Sequence, residues 1–456
     1  MNEINLYKVC YTQNFRGDLI MSDDKEFKEC KNMPENWKWV RLGEVIEEVN
    51  ERKGKTNIST VLTVSNTEGL VDQTEFFGRN LSSKDTSNYK IVNKWCFVYN
   101  PARINVGSIA LNDSYEYAIV SPMYSVFKTK EFLLPKYLSY WVQLPNFRYM
   151  VINNTAGSVR ESLNFSRLTT FKLPLPPLSE QQKIAEILET IDNAIEKTDA
   201  IIEKYKRIKQ GLMQDLLTKG VVNEGEGESE RWRLRDENID KFKDSPLGRV
   251  PEEWEVVRLE EVVEINPETL NLKNKDMTIN YIDIESIEDY KVKSYKTFKV
   301  SEAPSRAQRI VKEKDVLVST VRPNLKSFAI ITKDKNNFIC STGFAVLRSK
   351  NNLSSEYLFY YTQFDYYFLN QVLPIIVGSN YPAINSYELK TFFIPLPPIP
   401  EQQRIASILS QIDEVIEKEQ AYKEKLERIK KGLMEDLLTG KVRVNHLIEE
   451  ENKDGK

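Results

Sequence analysis

Two stretches of this chain place apolar residues at alternating steps of three and four. The first runs through Ile184, Leu188, Ile191, Ile195, Ile202, Tyr205, Ile208 and Leu212, with Thr198 as a polar gap. The second runs through Ile405, Leu409, Ile412, Ile416, Leu426, Ile429 and Leu433, with Glu419 and Lys423 on the stripe. Such spacing gathers the apolar side chains on one face of a helix, which must bury against another helix. Ser179 and Gln182 form a capping-box pattern just after a proline stop, so the first helix is predicted to begin there. About 40 residues at roughly 1.5 Å each predict a rod of about 60 Å. Two rods of that length are predicted to pack on each other as a coiled coil.

Outside these stretches the pattern changes. Short β-rich runs dominate, such as residues 58–64 and 315–321. Helical stretches rich in Tyr, Phe and Leu follow near 135–150 and 354–370. The aromatic stripe Tyr357, Phe359, Tyr360, Tyr361, Phe364, Tyr366, Tyr367 and Phe368 is crowded at helical spacing. It reads as core, although exposed rings of this kind stack bases elsewhere. The fold class is α+β: two globular domains separated by two long antiparallel helices, with a pseudo-two-fold internal repeat.

The repeat is explicit. Residues 174–218 align without a gap to 395–439, with 29 of 45 positions identical. Pro34-Glu35-Asn36-Trp37 followed by Val40-Arg41-Leu42 recurs as Pro251-Glu252-Glu253-Trp254 followed by Val257-Arg258-Leu259. Between these anchors, residues 43–170 and 260–390 share only sparse signals. A fixed frame carrying two different inserts is expected where the frame meets one kind of partner twice and the inserts meet two different things.

The boundaries read as an irregular tail over 1–33, a first domain over 34–178 and a first long helix over 179–219. A linker over 220–250, acidic and Gly-rich at first, leads to a second domain over 251–399. A second long helix over 400–441 and a charged tail over 442–456 complete the chain. Organised sequence begins only near Pro34, so Met21 competes with Met1 as the start. The connectivity predicts antiparallel helices, with the C-terminus returning to the first domain.

Composition narrows the chemistry. The single histidine, His446, lies in the charged tail, which removes Ser-His-Asp, Cys-His and HExxH schemes. Cys10, Cys30, Cys96 and Cys340 form no CxxC pair, so neither a zinc ribbon nor a disulfide framework is suggested, and no metal site is expected. Four scattered thiols suit a reducing cytoplasm. No apolar run is long enough for a membrane span. The net charge is −3, so any surface for nucleic acid must be local. No catalytic residue is assigned.

Polar, basic loops interrupt both domains. In the first, Asn100-Pro101-Ala102-Arg103-Ile104-Asn105 follows a strand, and Gly157-Ser158-Val159-Arg160 comes later. In the second, Thr320-Val321-Arg322-Pro323-Asn324-Leu325-Lys326 and Gly378-Ser379-Asn380-Tyr381 take the same places. Arg pairs with two guanine acceptors, Asn with adenine, and Ser with phosphates. Asn100, Arg103, Asn105, Ser158, Arg160, Thr320, Arg322, Asn324, Lys326, Ser379, Asn380 and Tyr381 are therefore the candidate contacts to duplex DNA. Each loop alone is an ordinary solvated turn; the equivalent placement in both halves is what raises it to a candidate.

These residues resemble the specificity subunits of type I restriction–modification enzymes. The resemblance rests on the Pro-Leu-Pro-Pro-x-x-Glu-Gln-Gln entries at Pro174 and Pro395 and the Arg-Ile-Lys-x-Gly-Leu-Met-x-Asp-Leu-Leu-Thr exits at Arg207 and Arg428. The Ser245-Pro246-Leu247-Gly248-x-x-Pro251-x-x-Trp254 entry and the Ser319-Thr320-Val321-Arg322-Pro323 turn also match. The first half departs from the pattern. It lacks the Ser-Pro-Leu-Gly lead before Pro34 and reads Asn100-Pro101-Ala102-Arg103 at its turn. The resemblance covers the chain from Pro34 to Lys441. It implies two target-recognition domains, each reading half of a bipartite site, with helix length setting the spacer. It implies two methyltransferase subunits as partners, using S-adenosylmethionine on adenine, and restriction/translocase subunits using ATP and magnesium. No cofactor is implied for this chain. A self-contained methyltransferase would need a cofactor loop and an Asn/Asp-Pro-Pro-Tyr/Phe motif, which Asn100-Pro101-Ala102-Arg103 fails. A coiled-coil scaffold without a DNA role is the other rival; it predicts no salt-dependent binding to duplex.

Overall fold

The computed structural model describes residues 33–65, 68–79, 81–155, 162–225, 231–271, 275–332, 337–376 and 382–448. Two helices, α1 (Leu178–Thr218) and α2 (Ile399–Leu438), carry the three-and-four periodicity. The chain divides into two compact units, Met1–Lys197 with Lys423–Lys456, and Thr198–Tyr422. Each unit holds one globular head and part of both helices.

The helices start and stop for local reasons. Two prolines precede each, and the carbonyls of Pro177 and Pro398 accept the first helical N–H groups, from Glu180 and Gln181 and from Glu401 and Gln402. Each ends at a glycine with left-handed φ, Gly220 (66°) and Gly440 (76°). A side chain at Gly220 would overlap Trp254 and Glu401, and one at Gly440 would press on Pro34 and Trp37. The end of one helix therefore abuts the Pro-x-x-Trp entry of a head, in both units.

In each unit the helices run antiparallel. In the second, Val221 N donates to Glu401 at 2.9 Å, and Lys209 pairs with Asp413 at 2.7 Å. In the first, Arg443 pairs with Glu180, and Lys430 pairs with Asp192 at 2.6 Å. Val444 joins the core of the first head, so the C-terminal segment does return there.

The heads share a plan. A two-stranded ribbon forms each base: Lys38–Arg41 with Lys172–Leu175, and Glu255–Arg258 with Phe393–Leu396. Above it lies an antiparallel four-stranded sheet. Its order is Ile46–Glu48, Ser125–Thr129, Cys96–Tyr99, Ile109–Leu111 in the first head. In the second it is Val263–Ile265, Phe344–Ser349, Val316–Ser319, Phe328–Ile330. Helices Pro135–Trp141 and Pro145–Thr155 cover the first sheet, and Ser355–Gln363 and Phe368–Val372 the second. The remaining strands diverge. The second head builds another four-stranded sheet containing one parallel pair, Thr278–Ile282 with Phe338–Ser341. The first has the separate pairs Leu62–Ser65 with Gly69–Asp72 and Lys90–Asn93 with Tyr117–Val120, touching through one bridge, Val61 to Ile119.

The aromatic stripe is core, as its crowding predicts: Tyr357, Tyr361, Tyr367 and Phe368 are fully buried, and Tyr366 alone stands out at 51% exposure. Within the span 220–250 the described residues form two short hairpins. Val221–Asn223 pairs with Trp232–Leu234, and Phe242–Ser245 with Gly248–Pro251. Arg235, between these hairpins, is buried against Glu401 and anchors the span to the second head.

The predicted helix seam needs one correction. Ile184 and Leu188 enter the core of the first head, and Ile405 and Leu409 that of the second. Leu212 and Leu433 pack beside those cores. Ile202 and Leu426 are buried, whereas Ile191, Ile195, Ile412 and Ile416 are half-buried. Ile208 and Ile429, predicted on the seam, are instead 38% and 39% exposed. Their neighbours Lys209 and Lys430 take the inward direction to reach Asp413 and Asp192. One residue is about 100° of helical turn, so that choice rotates the isoleucines outward.

Candidate nucleic-acid interface

The repeated frame holds each head by the same contacts. Glu180 accepts the indole N–H of Trp37 at 3.2 Å, and Glu401 that of Trp254 at 3.1 Å. The buried Gln181 accepts Leu134 N and donates to the carbonyls of Phe132 and Pro176. Gln402 accepts Ser354 N and donates to Asn352 and Pro397 in the same way. Tyr140 donates to Asp192 and Tyr360 to Asp413, both at 2.9 Å, and each aspartate meets the lysine of the other helix. Burial first, and the adjacent aspartates next, hold both phenols well above their usual range, so each keeps its proton to donate. The Glu and first Gln of the Glu-Gln-Gln motif thus clamp helix to head. Their partners Arg235, Arg443, Leu134 and Ser354 lie far away in sequence, and no periodicity announces them.

The candidate reading turns occupy one place in both heads. In each, nine residues lie between the last paired residues of the third and fourth strands of the main sheet, Tyr99 with Ile109 in the first head and Val318 with Phe328 in the second. That register makes Arg103 equivalent to Arg322, Asn105 to Asn324 and Val106 to Leu325. The backbone bonds repeat too. Val106 N donates to Arg103 O and Leu325 N to Arg322 O; Gly107 N donates to Ile104 O and Lys326 N to Pro323 O. A single 3-10 turn results, Ile104–Val106 in one head and Pro323–Leu325 in the other. Each closes on a left-handed residue, Gly107 (96°) or Lys326 (53°). The returning chain braces both turns: Leu163 N donates to Pro101 O and Ile384 N to Thr320 O, each at 2.9 Å.

The individual residues sort differently. Arg103, Arg322 and Asn324 are exposed, and Asn100 and Asn105 are half-buried. Asn100 folds its Oδ1 back onto Ala102 N, a local turn bond that pre-forms the loop. Thr320 is buried, and its hydroxyl donates to Gly343 O, so it shapes the turn from beneath. Lys326 is tied to Asp365 at 2.6 Å. Ser158, Arg160, Ser379, Asn380 and Tyr381 lie outside the described residues. The exposed aliphatics Val106 and Leu325 went unremarked in the sequence, because single apolar residues in loops are common.

A further surface belongs to the helices. Between Glu196 and Gly211, eight exposed residues recur identically and equally exposed between Glu417 and Gly432: Glu, Lys, Ala, Glu, Lys, Arg, Ile and Gly at the same spacing. They lie along one helix face. Lys206 and Gln210, exposed beside this face, are replaced by Glu427 and Lys431.

Two unlike heads built on a common main sheet, held by a duplicated helical frame, define a class of two-headed recognition subunits. The family model described as "Type I restriction modification DNA specificity domain" matches residues 34–206 and again 251–428, and the chain belongs to that family. It is 28% identical over 450 residues to the type I restriction enzyme MjaVIII specificity subunit of Methanocaldococcus jannaschii, spanning 94% of this chain and 99% of that one. To the EcoDI specificity subunit of Escherichia coli it is 24% identical over 396 residues, 83% of this chain and 82% of that one. Among solved structures, the type I restriction–modification S subunit from M. genitalium superposes with a TM-score of 0.53 at 12% identity, covering 90% of this chain and 97% of that one. A chain from a type I restriction–modification assembly gives 0.52 at 20% identity, covering 90% and 100%. These two show a shared fold. Among the described residues, no helix is long and apolar enough to cross a membrane.

Proposed function

We propose that each head reads one half of a bipartite duplex DNA site and that the helical frame docks two methyltransferase subunits while setting the spacer between the halves. The observation that carries this reading is the contrast within the chain. The helices repeat even at exposed positions, whereas the heads share a main sheet and differ in sequence. Identical exposed faces suit one partner bound twice; unlike heads suit two unlike half-sites. In this reading the chain contributes recognition and the chemistry belongs to partners. Methyltransferase subunits would use S-adenosylmethionine on adenine, and restriction/translocase subunits would use ATP and magnesium. Such an assembly works in the cytoplasm, on DNA.

Duplex retention tests the reading directly. The chain, assembled with its methyltransferase partners, is expected to bind a duplex carrying the host's methylated bipartite motif. Its affinity should fall steeply with salt, each neutralised phosphate contributing about 0.9 to the log–log slope. Binding indifferent to salt would favour the plain scaffold.

The helices supply a second test. Matched insertions of four residues near 199 in α1 and near 420 in α2 add roughly 6 Å of helix at about 1.5 Å per residue. The spacer of the methylated motif is expected to lengthen by about two base pairs, at roughly 3.4 Å each. Sequencing of methylated sites reads the outcome, and an unchanged spacer refutes the ruler.

A further inference from the structure

The nine-residue turns hold a pattern that the divergence of the heads makes unexpected. At register-equivalent positions stand Arg103-Ile104-Asn105-Val106 and Arg322-Pro323-Asn324-Leu325. The middle residue is buried in both, as Ile104 and Pro323, and anchors the turn. The aliphatic at the end of the turn points outward in both, Val106 at 46% and Leu325 at 64% exposure. Elsewhere in the turn Ser108 recurs as Ser327, whereas Asn100 becomes Ser319, Pro101 becomes Thr320, Ala102 becomes Val321, and Gly107 becomes Lys326. The bonds that close the 3-10 turn and the brace from the returning chain are the same in both, while the arginine before it differs, Arg103 at φ −134° and Arg322 left-handed at 48°. An apolar side chain on a rigid, otherwise polar tip gains nothing from water. Found once, it would mean little. Here it recurs in two heads that have otherwise drifted apart, beside the same Arg and Asn.

Residues that read two unlike sequences should themselves be unlike. Residues that recur should meet what both half-sites have in common. Resting on the proposed function, we infer that the Arg-x-Asn-aliphatic turn is a common grip on duplex DNA, in which Val106 and Leu325 are wedges against the base stack. The shared feature of the two half-sites is the base to be methylated, which must leave the stack to be modified. Rigid apolar side chains inserted at a base step lower the cost of that unstacking. Arg103 and Arg322 would hold phosphate beside the wedge, and Asn105 and Asn324 would bond the opened step. Sequence discrimination then falls to other, unshared residues of each head. Val106 and Leu325 are positioning residues, since the chemistry is carried out elsewhere.

The experiment uses the full chain assembled with its methyltransferase partners. The probe is a duplex carrying the bipartite motif, with 2-aminopurine replacing the methylated base of one half-site at a time. For Leu325→Ser the fluorescence gain on binding, and the rate of methylation measured on the same duplex with adenine in place, are expected to fall about tenfold in the second head's half-site alone. Val106→Ser should do the same in the other half-site. The set of bases tolerated in each half should stay as in the parent chain. Leu325→Met, which keeps an apolar tip, should restore both signals and so separates a wedge from a folding defect. An altered base preference in one half-site would overturn the inference by making the turn a reader. Full fluorescence and methylation in both serine variants would overturn it by showing that the tips do not touch the opened step. If the parent chain fails to retain the duplex, the proposed function itself has failed, and the two failures are distinct.

Discussion

Glu401→Ala is expected to destabilise the second unit by roughly 3–5 kcal/mol, the cost of leaving a buried charge without its partner. Both Glu401 and Arg235 side chains are only 4% exposed. The carboxylate also accepts Trp254 Nε1 at 3.1 Å and Val221 N at 2.9 Å. Alanine would leave the Arg235 guanidinium with the largely exposed Glu253 and the Lys219 carbonyl, and would orphan two buried N–H groups. Glu180→Ala, at the equivalent position, should cost less, roughly 1–3 kcal/mol. Its Arg443 partner is 26% exposed and can turn to water. The two variants are compared by urea unfolding, with amide exchange reporting which head opens. Equal losses would mean that burial of the arginine does not decide the cost.

Arg348→Ala should cost a similar roughly 3–5 kcal/mol, for the complementary reason that it strands a buried carboxylate. Asp315 is fully buried and receives Arg348 through two bonds of 2.8 Å, with Lys312 N as a third donor. Replacing both partners by apolar residues, as Asp315→Leu with Arg348→Met, is expected to recover most of the loss, because no unpaired charge remains. In the first head the register puts Cys96 and Lys128 at these positions, and Lys128 pairs with Glu47 at the surface. Lys128→Ala should therefore leave stability nearly unchanged. Unfolding midpoints of the three variants decide the matter, and a costly Lys128→Ala would break the argument. The two heads thus reach one sheet topology by different chemistry at the same place.

Much of the architecture is legible in local patterns. Helical periodicity and the proline and glycine punctuation give α1 and α2 within a few residues. The offset of 221 places Asp192 opposite Asp413 and Lys209 opposite Lys430 in sequence, but not that each aspartate meets the lysine of the other helix. The candidate turns carry a strand-then-basic signature. The burial of Thr320 is not legible, because a hydroxyl facing Gly343 and one facing solvent read alike in sequence.

The sequence by itself determined the elements that depend on neighbours in the chain: two long amphipathic helices, two heads rich in short strands, and the duplication that relates them. Only the tertiary structure decided what depends on residues far apart. It put Arg235 against Glu401, 166 positions away, and turned Ile208 outward so that Lys209 could face in. It also aligned Val106 with Leu325 through strand register. The reason is physical: periodicity records which face of an element avoids water, whereas a partner across the fold is chosen by packing and charge that no local window contains.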